Sequence, residues 1–256
     1  MNIYISVTSI FQRQNVLVNF LKTVLNLSLK PTKCFIFLSE NPYLLDKGFK
    51  NKTITNQELK NIIETNNILE LRWVKNIGPY RKLIPILKEK WNENCLIFTF
   101  DDDIILDSYI LSSYINDFNK YKCCISYRGF DVTIDNIDEF KYSHKRNKQT
   151  RNKYNFANSG VGMITHPSFF HGTNNLILDE TIFLEVCPTA DDLWYYVWRI
   201  FSNIKTIIIQ NENKLFYLEN FDYKTALFHN YNKNKNSLIL KNICKYLKEK
   251  KNIIIR

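Results

Sequence analysis

Apolar residues fall in short runs along the first half of the chain. The segments "IYISV", "CFIFL", "LELRWV", "CLIFTF" and "KCCISY" are rich in β-branched and aromatic residues and read as strands. Between them the apolar positions return every three or four residues. Val16, Leu17, Phe20, Val24 and Leu25 make one such helical face. A second segment places Thr55 three residues before Glu58, a capping-box spacing, ahead of Leu59, Ile62 and Ile63. A third starts at Pro79 and runs through Leu83, Ile84 and Leu87, bent or shortened by Pro85. A fourth covers roughly Ser108 to Phe118. This alternation predicts an α/β fold: a mostly parallel central sheet with helices on both faces, of Rossmann-like type, binding ligands beyond the carboxyl ends of its strands.

The second half is less regular. From about Gly129 to Tyr154 it includes "KYSHKRNKQTRNKY", a basic stretch nearly free of apolar residues that reads as a long loop. "FANSGVGMITHP" reads as a strand where backbone approaches a ligand closely. A helical piece around Leu178 to Val186 follows, then "CPTADDLWYYVWRIF" as a helix with Thr189 as N-cap. The strand "KTIIIQ" and a Lys-rich helix from about Leu238 to Lys250 complete the chain. With no internal repeat and no Gly/Ser-rich linker, residues 1–256 are expected to form one domain.

Composition narrows the class. At 256 residues, with 45% hydrophobic and 14% aromatic content, the chain can bury a large core and is not a disordered polypeptide. A formal charge of +10 favours an anionic partner, whether nucleic acid, a membrane surface or a phosphorylated small molecule. The cysteines Cys34, Cys95, Cys123, Cys124, Cys187 and Cys244 include no C-x-x-C pair and mostly sit in apolar runs, as buried reduced thiols do. No apolar stretch approaches the roughly 20 residues that span a bilayer. "MNIYISVTSI" reads as a first strand and not as a targeting segment, so a soluble, cytoplasmic protein is expected.

The chemistry concentrates in "CLIFTFDDDIIL", which delivers Asp101, Asp102 and Asp103 to the carboxyl end of the fourth strand. Adjacent carboxylates repel, and a divalent cation such as Mg²⁺ or Mn²⁺ is the natural compensation. Asp101 and Asp103 share a side if the strand continues through them. A solvated turn, or the cap of the next helix, is the structural alternative.

Three blocks then carry a resemblance. "VTSIFQRQNVLVNFLKTVLNLSLKPTKCFIFLSE", "NIGPYRKLIPILKEKWNENCLIFTFDDDIIL" and the pair "NSGVGMITHP" and "CPTADDLWYYVW" resemble, in that order, bacterial-type family 2-like glycosyltransferases of the GT-A fold, over Ile3 to about Trp198. The resemblance implies a metal-dependent enzyme that moves a sugar from a nucleotide-diphosphate sugar, a UDP-sugar first, to an acceptor hydroxyl, with inversion. It divides the chain into a nucleotide-sugar half (1–127) and an acceptor half with a C-terminal helix (128–256).

By the same resemblance, Thr8, Ser9, Arg13 and Glu40 line the base and ribose pocket, and Lys82 lies by the phosphates. Asp101 holds ribose or metal, Asp102 supports the site, and Asp103 is the principal metal ligand. Asp191 or Asp192 is the general base, with helix-dipole stabilisation as the bland reading of both. Asn158 faces the acceptor, and the Trp194 ring is a candidate sugar platform. His229 is a candidate metal or pyrophosphate ligand, or a structural residue in a strand-like run. His166 is a further groove candidate. The basic loop 141–153 reads as a lid or as a solvated loop.

The implied acceptor is a glycan, lipid-linked or protein-linked. The Lys-rich last helix could touch an anionic membrane. Two other readings remain at this stage: a metal-dependent phosphoryl-transfer enzyme or nuclease, and a non-catalytic sugar-nucleotide or glycan-binding module. Nucleic acid is not expected, because no basic-aromatic stripe of the base-stacking kind occurs.

Overall fold

The computed structural model describes residues 1–130, 137, 151–210, 216–218 and 224–256. Four parallel strands, β1 (Asn2–Thr8), β2 (Lys33–Leu38), β3 (Leu69–Trp73) and β4 (Cys95–Asp101), form the centre of the molecule. Their order is β3-β2-β1-β4, with one further strand (Val161–Thr165) antiparallel to β4 at the end of the sheet. The mostly parallel sheet read from the sequence is present.

β2 and β4 are almost wholly apolar because both their faces are covered, whereas the edge strand β3 carries Glu70 and Arg72 and is only partly buried. In β2, Cys34, Ile36 and Leu38 enter one core while Phe35 and Phe37 enter the other. The same alternation in β4 sends Leu96 and Phe98 one way and Cys95 and Ile97 the other. On the first side pack α1 (Gln14–Leu25), α2 (Gln57–Thr65) and, further along, a helix at Ile110–Tyr121. The helix α2 is capped by Asn56, whose side chain accepts from Leu59 N. Thr55, the residue expected in that role, instead accepts a bond from Gln14 Nε2, shifting the start by one position.

Pro79 and Pro85 divide the third helical segment in two. Gly78–Lys82 is a 3₁₀ turn, and α3 (Ile84–Glu89) follows with Pro85 in its first turn, where a missing N–H costs nothing. After β4 the chain makes β5 (Ile104–Leu106), α4 (Ile110–Tyr121), β6 (Cys124–Ser126), β7 (Gly129–Phe130), β8 (Phe156–Ala157) and β9 (Val161–Thr165). The expected strand "KCCISY" is therefore β6, but it pairs outside the main sheet, with β10 (Thr206–Ile208).

The second face is covered by α3, α5 (Glu180–Val186), α6 (Asp191–Phe201) and α7 (Asn236–Lys251); β11 (Phe216–Leu218) pairs with β5. Leu240, Ile243 and Leu247 anchor α7 in the core and leave its lysines outward. Five of the six thiols are buried, and Cys244 in α7 is the most accessible. Among the described residues no helix is long and apolar enough to cross a membrane.

Candidate active site

β1 and β4 end side by side, with Thr8 opposite Asp101 in the register. Beyond this edge lies a cavity of roughly 470 Å³, within the usual size of a small-molecule site. Thr8, Ser9, Arg13, Lys82, the three aspartates, Asn158, Asp191, Asp192 and His229 all border it. Sequence separation is thus erased by topology: six separate stretches of the chain reach one opening.

The aspartates do not continue the strand. β4 stops at Asp101 and the chain turns through Asp102 and Asp103 before β5, so their side chains diverge. The Asp101 side chain is 43% exposed, that of Asp103 17% and that of Asp102 only 4%. Asp102, the most buried of the three, receives the Ser9 hydroxyl and the Arg13 guanidinium (Nη2 to Oδ1, 2.9 Å). The same Arg13 nitrogen lies 2.7 Å from Asp103 Oδ2. Burial pushes the Asp102 carboxyl up to about 6, since Arg13 offsets only part of the desolvation and Asp103 adds repulsion.

Lys82 closes the other side of the triplet. Its Nζ stands 2.9 Å from Asp101 Oδ1 and 3.4 Å from Asp191 Oδ2. Ser6 fixes this turn from below by donating its hydroxyl to the Lys82 carbonyl. Burial alone would lower the ammonium's proton affinity, but Asp101, Asp191 and Asp192 together raise it. Burial likewise works against the Asp101 anion, yet Lys82 holds that carboxyl below its ordinary value. At Asp191 the balance reverses: burial outweighs the pull of Lys82, and with repulsion from Asp192 it pushes the carboxyl up to about 7.

Asp192 is held by backbone and side chain of the turn before β9. Asn158 Nδ2 donates to Oδ2 (2.9 Å) and Ser159 N donates to Oδ1 (2.8 Å). Gly160 completes this turn and gives its carbonyl to Asp101 N at 2.7 Å. A Cβ on Gly160 would stand 2.0 Å from Asp101 Oδ2, so only glycine lets the two approach. The helix bearing both carboxylates starts at Asp191, and Ala190 at its N-cap provides no side-chain hydrogen bond. Thr189, expected as the cap, donates its hydroxyl to Asn232 Oδ1 instead.

Other expected residues lie elsewhere. Trp194 is fully buried, its indole N–H bonded to Ile177 O at 2.9 Å, so it is a core residue and presents no sugar platform. It sits on the inner face of α6, among Phe183 and Trp198. Glu40 does not border the cavity. After Glu40 the chain folds back so that Gly48, with φ +75°, packs on the Glu40 carbonyl, and Asp46 is the carboxylate that reaches the opening.

Asp46 is paired with Arg81 (Oδ2 to Nη1, 3.0 Å) and accepts Phe11 N and Gly48 N on Oδ1. Neither Asp46 nor Arg81 was expected from the sequence; the adjacency of Arg81 to Lys82 in "PYRK" was the available signal. Arg128, at the mouth beside β7, was missed as well.

The far wall comes from the C-terminal segment. His229 lies in a π-helical turn, Phe228–Asn232, and not in a strand. His166 is outside the cavity lining, bonded to Asn94 and Ser168. His144 and most of the basic loop 141–153 lie outside the described residues. Among the described residues no three His, Cys, Asp or Glu side chains cluster as a metal cage. The donors that face the cavity, Asp101 and Asp103, are oxygen-only and partly open. Carboxylate oxygens are the ligand type of Mg²⁺ or Mn²⁺, which take one or two and complete their shell with water and phosphate oxygens; here Asp101 pairs with Lys82 and Asp103 with Arg13.

No family model matches the sequence, and no curated protein matches it. Solved structures do. The chain is similar to Staphylococcus aureus TarS 1–349, a GT-A-type glycosyltransferase, with a TM-score of 0.54 at 12% identity over 98% of this chain and 73% of that one. The UDP complex of TarS 1–349 gives 0.53 at 10% identity over 98% and 73%. Its UDP-GlcNAc complex gives 0.52 at 10% over 98% and 74%. The fold is that of GT-A glycosyltransferases.

Proposed function

We propose that this chain is a glycosyltransferase that takes a sugar from a nucleotide-diphosphate sugar, a UDP-sugar first, and transfers it to a hydroxyl of a glycan or of a lipid-linked or protein-linked acceptor. The observation that carries this reading is the convergence of Asp101, Asp103, Lys82 and the Asp191–Asp192 pair on one cavity at the carboxyl edge of a GT-A sheet. The TarS complexes, which hold UDP and UDP-GlcNAc, supply the choice of nucleotide.

In the reaction the acceptor oxygen attacks the anomeric carbon, and the bond from that carbon to the β-phosphate oxygen breaks. The leaving electron pair stays on the phosphate. Arg13, Lys82 and Arg128 border the cavity and offer positive charge to the diphosphate as it departs. Asp101 and Asp103 would hold Mn²⁺ or Mg²⁺, which when bound would neutralise part of the same charge.

Asp191 accepts the acceptor proton in this reading: a carboxyl near 7 is matched to proton transfer at neutral pH. Asp192, fixed by two hydrogen bonds, orients the pair and is the second candidate. Attack opposite the leaving group gives inversion.

Thermal unfolding with Mn²⁺ and a panel of nucleotides tests the donor site. UDP should stabilise selectively and only with metal, and Asp103→Ala should remove the effect. Unchanged stabilisation in that variant would sink the metal assignment. Release of UDP from a panel of UDP-sugars tests turnover.

A further inference from the structure

Two asparagines flank the break between the π-helical turn Phe228–Asn232 and α7, where the C-terminal segment borders the cavity. Asn232 is fully committed: its Oδ1 accepts the Thr189 hydroxyl (2.6 Å) and its Nδ2 donates to the Thr189 carbonyl (2.8 Å). The segment is thereby fastened two residues before Asp191. Asn236, the first residue of α7, has no such duty. It is 8% exposed and lines the cavity, its Oδ1 is buried without a partner, and its side chain makes no hydrogen bond among the described residues. Leu240, Ile243 and Leu247 hold the helix that carries it in the core.

A buried amide left unpaired is costly, and such groups normally have a partner in the protein or in a ligand. The buried atom without a partner is the acceptor Oδ1, which needs a donor such as a sugar hydroxyl, and an ionised phosphate oxygen offers none; the Nδ2 beside it can donate to a neighbouring hydroxyl oxygen. We propose that Asn236 is a specificity-determining residue that hydrogen-bonds hydroxyl groups of a pyranose bound in the cavity. The inference rests on the nucleotide-sugar reading above. The pyranose is either the sugar of the donor or that of the acceptor. In both cases the Thr189–Asn232 pair sets the distance from Asn236 to the Asp191–Asp192 turn.

The test uses the full chain with Mn²⁺ and compares wild type with Asn236→Ala and the near-isosteric Asn236→Leu by titration calorimetry. UDP, UDP-glucose, UDP-galactose and UDP-GlcNAc are titrated first, and then the methyl glycosides of the same sugars in the presence of UDP. UDP affinity should stay within about twofold, and the melting temperature should not fall, since no protein hydrogen bond is lost. The gain of one UDP-sugar over UDP should drop about tenfold if the donor sugar is read. A similar drop in methyl-glycoside affinity instead assigns the contact to the acceptor. If both affinities are unchanged, or if both variants melt well below wild type, the assignment is overturned. A wild-type chain that binds neither UDP nor any UDP-sugar overturns the glycosyltransferase reading itself, and this one with it.

Discussion

The ammonium of Lys82 lies 2.9 Å from Asp101 Oδ1, in a position where the lysine side chain is nearly excluded from solvent. Removing it would leave Asp101 and Asp191 without their common countercharge. Breaking a buried pair from one side typically costs about 3–5 kcal/mol, and the partial exposure of Asp101 moves the expectation for Lys82→Met to the lower end or below. Urea unfolding should register this loss, and donor turnover should fall at least about a hundredfold. Arg at this position should not restore turnover, because its planar fork cannot replace a compact ammonium.

Gly160→Ala is expected to abolish donor turnover, because the new methyl would collide with Asp101 Oδ2 and push it away from Lys82. Gly172→Ala is the matched control, since nothing lies within 4 Å of a Cβ there. Released UDP from a UDP-sugar measures both. Equal activity of the two variants would contradict the close seat of Gly160 on Asp101.

Asp191→Asn should stabilise the fold while lowering transfer. Its folded carboxyl near 7 lies above the unfolded value, so ionisation is paid for by the folded state. The stabilising effect of Asn should therefore be fullest above pH 7 and shrink as pH falls from 7 toward the ordinary carboxylate value. Each kcal/mol relieved would raise the melting temperature by about 2–4 °C for a chain of this size. Melting curves at pH 8 and pH 5 read the difference, and an advantage that grows on acidification would refute it.

Trp194→Ala should behave as a core deletion and not as a lost sugar contact. Emptying a buried indole costs about 3–5 kcal/mol. Trp194→Phe keeps much of the volume and forfeits mainly the bond to Ile177 O, about 1 kcal/mol. Denaturant midpoints should rank wild type, Phe and Ala in that order, with the acceptor KM of the Phe variant unchanged.

Much of the donor side was legible because it is written in contiguous runs. The near-continuous apolar runs "CFIFL" and "CLIFTF" specify strands covered on both faces, and the abrupt change to "DDD" marks their ligand edge. What could not be read was direction after a turn. Asp102 and Asp103 leave the strand plane, which assigns burial to the middle aspartate. Trp194 and Asp192 are two positions apart on α6, and only the packing of the helix decides which faces the cavity and which the core. Glu40 and Asp46 lie on one loop, and the tight Gly48 return selects the second.

Five buried thiols and one more accessible one give this molecule a built-in clock of its own openings. A buried thiol presents little thiolate to a reagent, and burial pushes Cys95 up to about 12 and Cys123 up to about 11. Alkylation of the native chain should begin at Cys244, and the others should follow only as their elements part. Cys34 and Cys95 sit in β2 and β4, while Cys124 sits in β6. Timed labelling read by mass spectrometry would thus separate loosening of the accessory pair β6–β10 from rupture of the main sheet. Simultaneous modification of Cys95 and Cys124 would mean that the two open as one unit.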